Sequence, residues 1–191
     1  MKAEDKIFKT FFENQEPKLY YNQIKEYSKL SHSSLQNSID KLKKAKIIEE
    51  EKTKSNTFYK IKNKKLFALK FSEIAIIKFE KLNHNIKTPL NNFLKNLPEE
   101  IYTIILFGSA SKSEETKDSD IDLLIVSNKK QDLSKNKKQA EITSKHPISL
   151  FQTTTEEFKK NEDDITIQAR KTGFPIYKEQ NFYEAILDGH Q

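Results

Sequence analysis

The spacing of apolar residues over the first sixty positions predicts three short helices followed by two strands. Leu35, Ile39 and Leu42 recur at i, i+4 and i+7, so they lie on one face of the third helix. A serine at 31 or 33 can cap this helix by accepting a hydrogen bond from its first turn. The predicted elements are helices over 4–15, over 22–29 and from 31 or 33 onward, a short extended piece over 18–21, and strands over 47–51 and 57–61 around a polar tip at 52–56.

Residues 64–83 predict a longer helix with an unusually broad apolar face, built on Phe67, Phe71 and Ile74 and widened by Ile77. An apolar face of this width needs burial on more than one side. Two interpretations stay open: a linker helix packed between domains, or a dimerisation helix that makes the chain a homodimer. A further helix is predicted over 89–96.

Strand-like and helix-like segments alternate in the second half, which is typical of a domain that mixes helices with one sheet. The pattern around Thr154 and Glu157 predicts a capping box at a helix start, and Gly173 predicts a helix end. The predicted strands cover 101–107, 121–126, 148–153 and 174–177, and helices are predicted over 108–115, over 131–145 and after residue 154.

Composition excludes several classes of site. The 191 residues include no cysteine, which removes disulfides, thiolate metal ligands and cysteine nucleophiles. His84, His146 and His190 have no ligand spacing with Asp or Glu, so no zinc site is expected. No apolar run reaches 18 residues and the first residues lack the apolar core of a signal peptide, so we expect a cytoplasmic protein with no membrane partner.

Charge is unevenly placed along the chain. The first 100 residues carry 21 Lys against 13 acidic residues, and the remaining 91 carry 13 basic against 15 acidic residues. A basic half beside a mildly acidic half suggests a polyanion-binding module joined to a different one. The first 107 residues contain no glycine, so Gly108 marks a position of interest.

The stretch IYTIILFGSASKSEETKDSDIDLLIV carries the candidate chemistry. Gly108 and Ser109 follow a predicted strand, where a missing side chain lets a phosphate approach the backbone amides at a helix start. Asp120 and Asp122 lie two residues apart on the next strand and therefore project to the same side. Two adjacent carboxylates repel each other unless a hard divalent cation lies between them. A blander interpretation is a solvated strand edge, but the Gly-Ser turn at this distance disfavours it.

These residues resemble the motif of the nucleotidyltransferase superfamily that includes polymerase β and the minimal nucleotidyltransferases. The shared pattern is a hydrophobic strand, Gly-Ser or Gly-Gly, about ten residues, and Asp-hydrophobic-Asp. The resemblance implies that Gly108 and Ser109 bind the triphosphate of an NTP, and that Asp120 and Asp122 are catalytic and hold Mg²⁺ or Mn²⁺. Lys112 stands where small members often have an arginine and is a candidate phosphate contact.

One departure from that pattern concerns the third strand. Many members carry a third carboxylate there, and the candidate positions in this chain are Ser149 and Phe151. Without a third carboxylate, the predicted site lacks a ligand for the second metal ion that would activate the attacking hydroxyl.

Residues 3–62 resemble a winged helix-turn-helix domain, on the stretch LSHSSLQNSIDKLKKAKIIEEEKTKSNTFYKI. The resemblance implies duplex DNA as a partner, with the third helix in the major groove. Lys46 departs from the family, which usually has Gly there, so it must adopt a left-handed conformation or the turn must differ. The candidate DNA-binding residues are Ser33, Ser34, Gln36, Asn37, Lys41, Lys52 and Lys54.

Together these features predict a winged helix-turn-helix domain at 1–63, a helical linker at 64–97, and a nucleotidyltransferase-like mixed sheet with flanking helices at 98–191, of the α+β or α/β class. The leading interpretation is transfer of a nucleoside monophosphate from an NTP to an acceptor that the sequence does not identify. One alternative is a DNA-binding regulator whose second domain senses a nucleotide without efficient turnover. Another is an antitoxin that acts on a protein partner.

Overall fold

The computed structural model describes residues 2–116 and 119–189 and divides into two compact units. The first unit comprises the chain up to Ile74 together with the C-terminal residues from Ile186, and the second runs from Ala75 to Ala185. The predicted three-part division stays a prediction. None of the described helices is long and apolar enough to cross a bilayer.

The first unit contains three helices and a hairpin, close to the bounds expected from the apolar spacing. Leu35, Ile39 and Leu42 are all buried, so the predicted apolar face of the third helix is its core face. The strands form an antiparallel sheet in the order β1-β3-β2. The elements are α1 (Ala3–Asn14), β1 (Lys18–Tyr20), α2 (Tyr21–Ser28), α3 (His32–Lys44), β2 (Ile48–Lys52) and β3 (Thr57–Ile61).

The turn after α3 is left-handed at Lys46, whose φ is 55°. The Ile47 amide donates to the Leu42 carbonyl at 2.9 Å and the Lys46 amide donates to the Lys43 carbonyl at 2.9 Å. These bonds satisfy carbonyls that the helix end leaves free, so the usual glycine-type helix ending is retained with lysine in its place. Of the two options that the sequence left open for this position, the left-handed lysine is confirmed.

A long helix, α4 (Lys64–Glu80), follows the hairpin. Phe67 and Phe71 are buried, whereas Leu69, Ile76 and Ile77 are 45%, 48% and 55% exposed. The broad apolar face expected from the sequence is therefore present, and part of it is solvent-accessible. The linker and dimerisation interpretations of this helix both stay predictions.

The second unit is built on a four-stranded sheet in the order β6-β5-β4-β7. β5 and β6 are parallel, while β4 is antiparallel to both β5 and β7, so the sheet is mixed as expected. Its elements are α5 (His84–Phe93), β4 (Ile101–Phe107), β5 (Ile121–Ser127), α6 (Ser134–Glu141), β6 (Ile148–Thr153), α7 (Thr155–Lys160), α8 (Asp164–Thr172), β7 (Phe174–Tyr177) and most of α9 (Glu179–Asp188), whose residues from Ile186 are assigned to the first unit.

Helix ends in this unit follow local capping chemistry. The Thr154–Glu157 capping box is present at the start of α7, and Gly173 ends α8, as predicted. α5 begins at His84, five residues before the predicted start at Pro89, because the Asn83 side chain accepts from the Asn85 amide and caps the helix there. The predicted helix start at Pro89 is therefore wrong, and the proline lies inside the helix.

Candidate active site

The turn that follows β4 is hydrogen-bonded to the end of a helix of the second unit. Gly108 has a φ of +69°, a conformation that glycine adopts without strain. The Ser111 hydroxyl lies 2.7 Å from the Gly108 carbonyl and 3.1 Å from the Thr172 carbonyl, so it joins the turn to the end of α8. Ser111 and Thr172 carried no signal in the sequence, because a serine that bonds to the backbone resembles any other polar residue.

The helix predicted over 108–115 is wrong. The chain makes only a single 3₁₀ turn, Ala110–Lys112, and Ser113 then takes a left-handed φ of 59° that ends it. Serine side chains compete with helical hydrogen bonds, and this segment contains three of them. The helix start that was expected to present its amides to a phosphate is therefore replaced by this short turn, and any phosphate contact here depends on the amides of the turn.

The two carboxylates lie at the start of β5, next to this turn. Asp120 directly precedes the strand and is exposed, whereas Asp122 lies within it and is half-buried. Asp122 pairs with Phe107 of β4, the residue before Gly108. A Cβ built on Gly108 would approach Asp122 Oδ2 to less than 3.0 Å, so a side chain at this position would have to displace the carboxylate. The structure thus brings Gly108 and Asp122 together.

Burial raises the pKa of the Asp122 carboxyl, and the nearby negative charge of Asp120 raises it further. Both effects disfavour the ionised form of Asp122. A cation between the two carboxylates would remove the repulsion. The donor set, two carboxylates beside a backbone turn that lacks a side chain, fits Mg²⁺ or Mn²⁺ bound together with phosphate oxygens.

Ser149 of β6 lies beside the pair. It is the register partner of Asp122, and its hydroxyl donates to Asp120 Oδ2 at 2.8 Å. Phe151, the other candidate for a third carboxylate, packs its ring against Phe107 with centroids 5.6 Å apart. Within the described residues no group of three or more His, Asp or Glu side chains could hold a metal ion. The site therefore offers two carboxylates and a hydroxyl.

The remaining predicted nucleotide contacts lie on the turn. The carbonyl of Ser109 accepts from the amides of Lys112 and Glu114 at 3.0 and 3.1 Å. Lys112 is exposed, and no carboxylate of residues 2–116 or 119–189 lies within ion-pair distance of its amine. Its charge is therefore available to a phosphate.

The candidate DNA-binding residues lie on α3 and on the hairpin of the first unit. Asn37 is exposed, whereas the Gln36 amide donates to both Asp40 oxygens at 3.2 and 3.3 Å. Asp40 thus places an acidic group beside the polar side chains predicted to contact bases. The exposed members of the predicted set are Ser33, Asn37, Lys41, Lys52 and Lys54, and Ser34 and Gln36 are half-buried.

Much of the basic charge of this unit is paired with acidic side chains. Lys41 contacts Glu4 at 3.2 Å and Lys52 contacts Glu50 at 3.0 Å. Both lysines are exposed, whereas Glu4 and Glu50 are half-buried. Ion pairs near the surface contribute only about 0–1 kcal/mol each, so DNA phosphates could displace the carboxylates from the lysines at low cost. Lys54 is exposed and has no ion-pair partner among the described residues. The other pairs around β2 join Lys18, Lys43, Lys60 and Lys62 to Glu49, Glu50 and Glu51.

Comparison with known proteins gives one match. Residues 88–174, less than half of the chain, match the family model described as a nucleotidyltransferase domain. The matched range contains the Gly108 turn, the two carboxylates and Ser149. Neither the curated proteins nor the solved structures gave a significant match. The match supports a nucleotidyltransferase domain over residues 88–174 and does not extend to the first unit.

Proposed function

We propose that the second unit transfers a nucleoside monophosphate from an NTP to an acceptor hydroxyl, with Mg²⁺ or Mn²⁺ as the cofactor. The observation that carries this proposal is the close approach of Gly108 to Asp122 beside Asp120, inside the range that matches the nucleotidyltransferase domain. Phosphoryl-transfer sites require this combination of a backbone turn open to phosphate and carboxylates for a cation.

Each residue of the site has a distinct part in the proposed reaction. Asp120 and Asp122 hold the cation, which when bound neutralises phosphate charge and aligns the triphosphate. The Gly108–Ser109 turn receives the phosphates and Lys112 adds a positive charge at its rim. The acceptor oxygen forms a bond to the α-phosphorus, the bond from that phosphorus to the bridging oxygen breaks, pyrophosphate leaves, and the acceptor proton passes to solvent.

The test compares the wild-type chain with the double variant Asp120→Asn/Asp122→Asn. A ligand at 100 times its dissociation constant stabilises the folded protein by about 2.7 kcal/mol, so saturating MgNTP should raise the melting temperature of the wild type and leave that of the double variant unchanged. Pyrophosphate release, with mass spectrometry of the products, then reports transfer.

Glu99→Gln/Glu100→Gln is the matched control, because it removes two negative charges from exposed positions of the same unit. This control should keep the MgNTP response. Equal responses in the wild type and in the aspartate double variant would reject the site.

A second candidate function is favoured by Ser149, which stands where many nucleotidyltransferases have a third carboxylate. In this alternative the site binds MgNTP without efficient turnover, and the first unit acts as a winged helix-turn-helix that binds duplex DNA. Support for the DNA-binding part is the order of three helices followed by a hairpin, with exposed polar and basic residues on α3. A thermal shift with MgNTP but no pyrophosphate release, together with a nucleotide-dependent change in DNA affinity, would favour this second function.

A further inference from the structure

The segment leading into β6 is hydrogen-bonded to the segment that carries the carboxylates. The Ile121 amide donates to the Pro147 carbonyl at 2.8 Å. His146, the residue before Pro147, contacts the same segment, because its Nδ1 lies 3.0 Å from the Ser119 carbonyl oxygen. A carbonyl oxygen only accepts hydrogen bonds, so Nδ1 must carry the proton. The backbone on both sides of Asp120 is therefore fixed by residues 146 and 147.

The side chain of Asp120 is fixed from the same strand. The Ser149 hydroxyl donates to Asp120 Oδ2 at 2.8 Å, and Oδ1 has no hydrogen-bond partner among residues 2–116 and 119–189, so it can take another ligand. Asp120 is exposed and precedes the strand, so burial does not fix the rotamer of its side chain. Like charges on Asp120 and Asp122 would drive the exposed carboxylate away from its neighbour, and the Ser149 bond opposes that motion.

We infer that Ser149 and His146 are positioning residues, which hold Asp120 so that its free oxygen and Asp122 converge on one cation. This inference rests on the proposed function, since it requires a cation at the carboxylate pair. Ser149 acts on the side chain of Asp120, and His146 acts on the peptide that precedes it. Donors that orient a metal-binding carboxylate in this way typically change metal affinity by 10- to 100-fold when they are removed.

The experiment measures Mn²⁺ affinity of the full chain by electron paramagnetic resonance, together with the melting temperature without metal. Ser149→Ala should weaken Mn²⁺ binding by about tenfold, and Ser149→Thr, which keeps the hydroxyl, should restore it. Thr153→Ala removes a hydroxyl from the other end of β6 and should leave the affinity unchanged. His146→Phe should also weaken binding, whereas His146→Asn, which can donate from a similar position, should weaken it less.

A positioning role predicts these losses of affinity with little change in the metal-free melting temperature. Equal Mn²⁺ affinity in the wild type, Ser149→Ala and His146→Phe would overturn the inference while leaving the proposed function intact. A fall in melting temperature that matches the fall in affinity, without rescue by Ser149→Thr, would also overturn it, since the residues would then be merely structural. A wild-type chain that binds no Mn²⁺ would reject both the inference and the proposed function.

Discussion

The Asp122 carboxylate occupies the space in which a side chain on Gly108 would begin, since a Cβ built there would approach Oδ2 to less than 3.0 Å. Gly108→Ala should therefore displace Asp122 and also place alanine at a φ of +69°, at a cost of about 1–2 kcal/mol. We expect a lower melting temperature and loss of the MgNTP thermal shift. Ser109→Ala is the control for stability, because a φ of −64° suits any residue.

The Asp122 carboxyl should contribute to the stability of the metal-free protein in mild acid, and this contribution should be lost at neutral pH. Its folded-state pKa is raised above the ordinary aspartate value of 3.8 by burial and by Asp120, so the folded state holds the proton more tightly than the unfolded state. The resulting stabilisation is full below 3.8 and is lost as the pH rises through the raised pKa. In denaturant titrations at neutral pH, Asp122→Asn should be more stable than the wild type without metal, and the difference should shrink as the pH falls towards 3.8.

Mg²⁺ should reverse the order of these two proteins. The cation favours the ionised pair, so saturating Mg²⁺ should stabilise the wild type at neutral pH and leave Asp122→Asn little changed. If the wild type is insensitive to Mg²⁺ and already more stable than Asp122→Asn, the expected repulsion between the two carboxylates is contradicted.

Ser149→Asp should add the third carboxylate that β6 lacks. Because Ser149 is the register partner of Asp122 and contacts Asp120, the new carboxylate would join the existing pair. We expect a lower melting temperature without metal, since three negative charges then share one site, and an increase in bound Mn²⁺ from one ion to two. Calorimetric titration gives the stoichiometry, and pyrophosphate release tests whether turnover rises with the second ion.

DNA binding by the full chain should depend steeply on salt. Phosphate contacts by lysine release counterions, so each contact contributes about 0.9 to the slope of log affinity against log salt concentration. Lys54→Gln should lower that slope by about one contact, and Lys145→Gln, an exposed lysine of the second unit, should not. Asn37→Ala should weaken discrimination between A·T-rich and G·C-rich duplexes, since asparagine suits adenine. Salt-independent affinity would leave the first unit as a protein-binding module.

Lys46→Gly should stabilise the first unit. Lysine at a φ of 55° is strained, and glycine adopts this conformation freely but loses more entropy on folding. The net gain should be about 0.5–1 kcal/mol, measured as a higher denaturation midpoint with an unchanged slope. Lys44→Gly, two residues earlier at the last residue of α3, should instead destabilise slightly.

Local patterns in the sequence were sufficient for most elements and for the motif of the site. The periodicity of Leu35, Ile39 and Leu42 and the capping box at Thr154 predicted elements that the structure contains, because these signals depend on residues close together in the chain. The two-residue spacing of Asp120 and Asp122 predicted neighbouring carboxylates for the same reason, and the structure has Asp120 just before β5 and Asp122 within it.

Other features were decided only by tertiary structure, because they join residues far apart in sequence. The 3₁₀ turn at Ala110–Lys112 replaces the predicted helix, in a turn where Ser111 bonds to a carbonyl of α8, 61 residues away. The contacts of Ser149 and His146 with the carboxylate segment depend on the parallel pairing of β5 with β6. Local patterns determine which residues a strand presents on each face. Which other strand pairs with it depends on how the whole sheet buries its apolar surface.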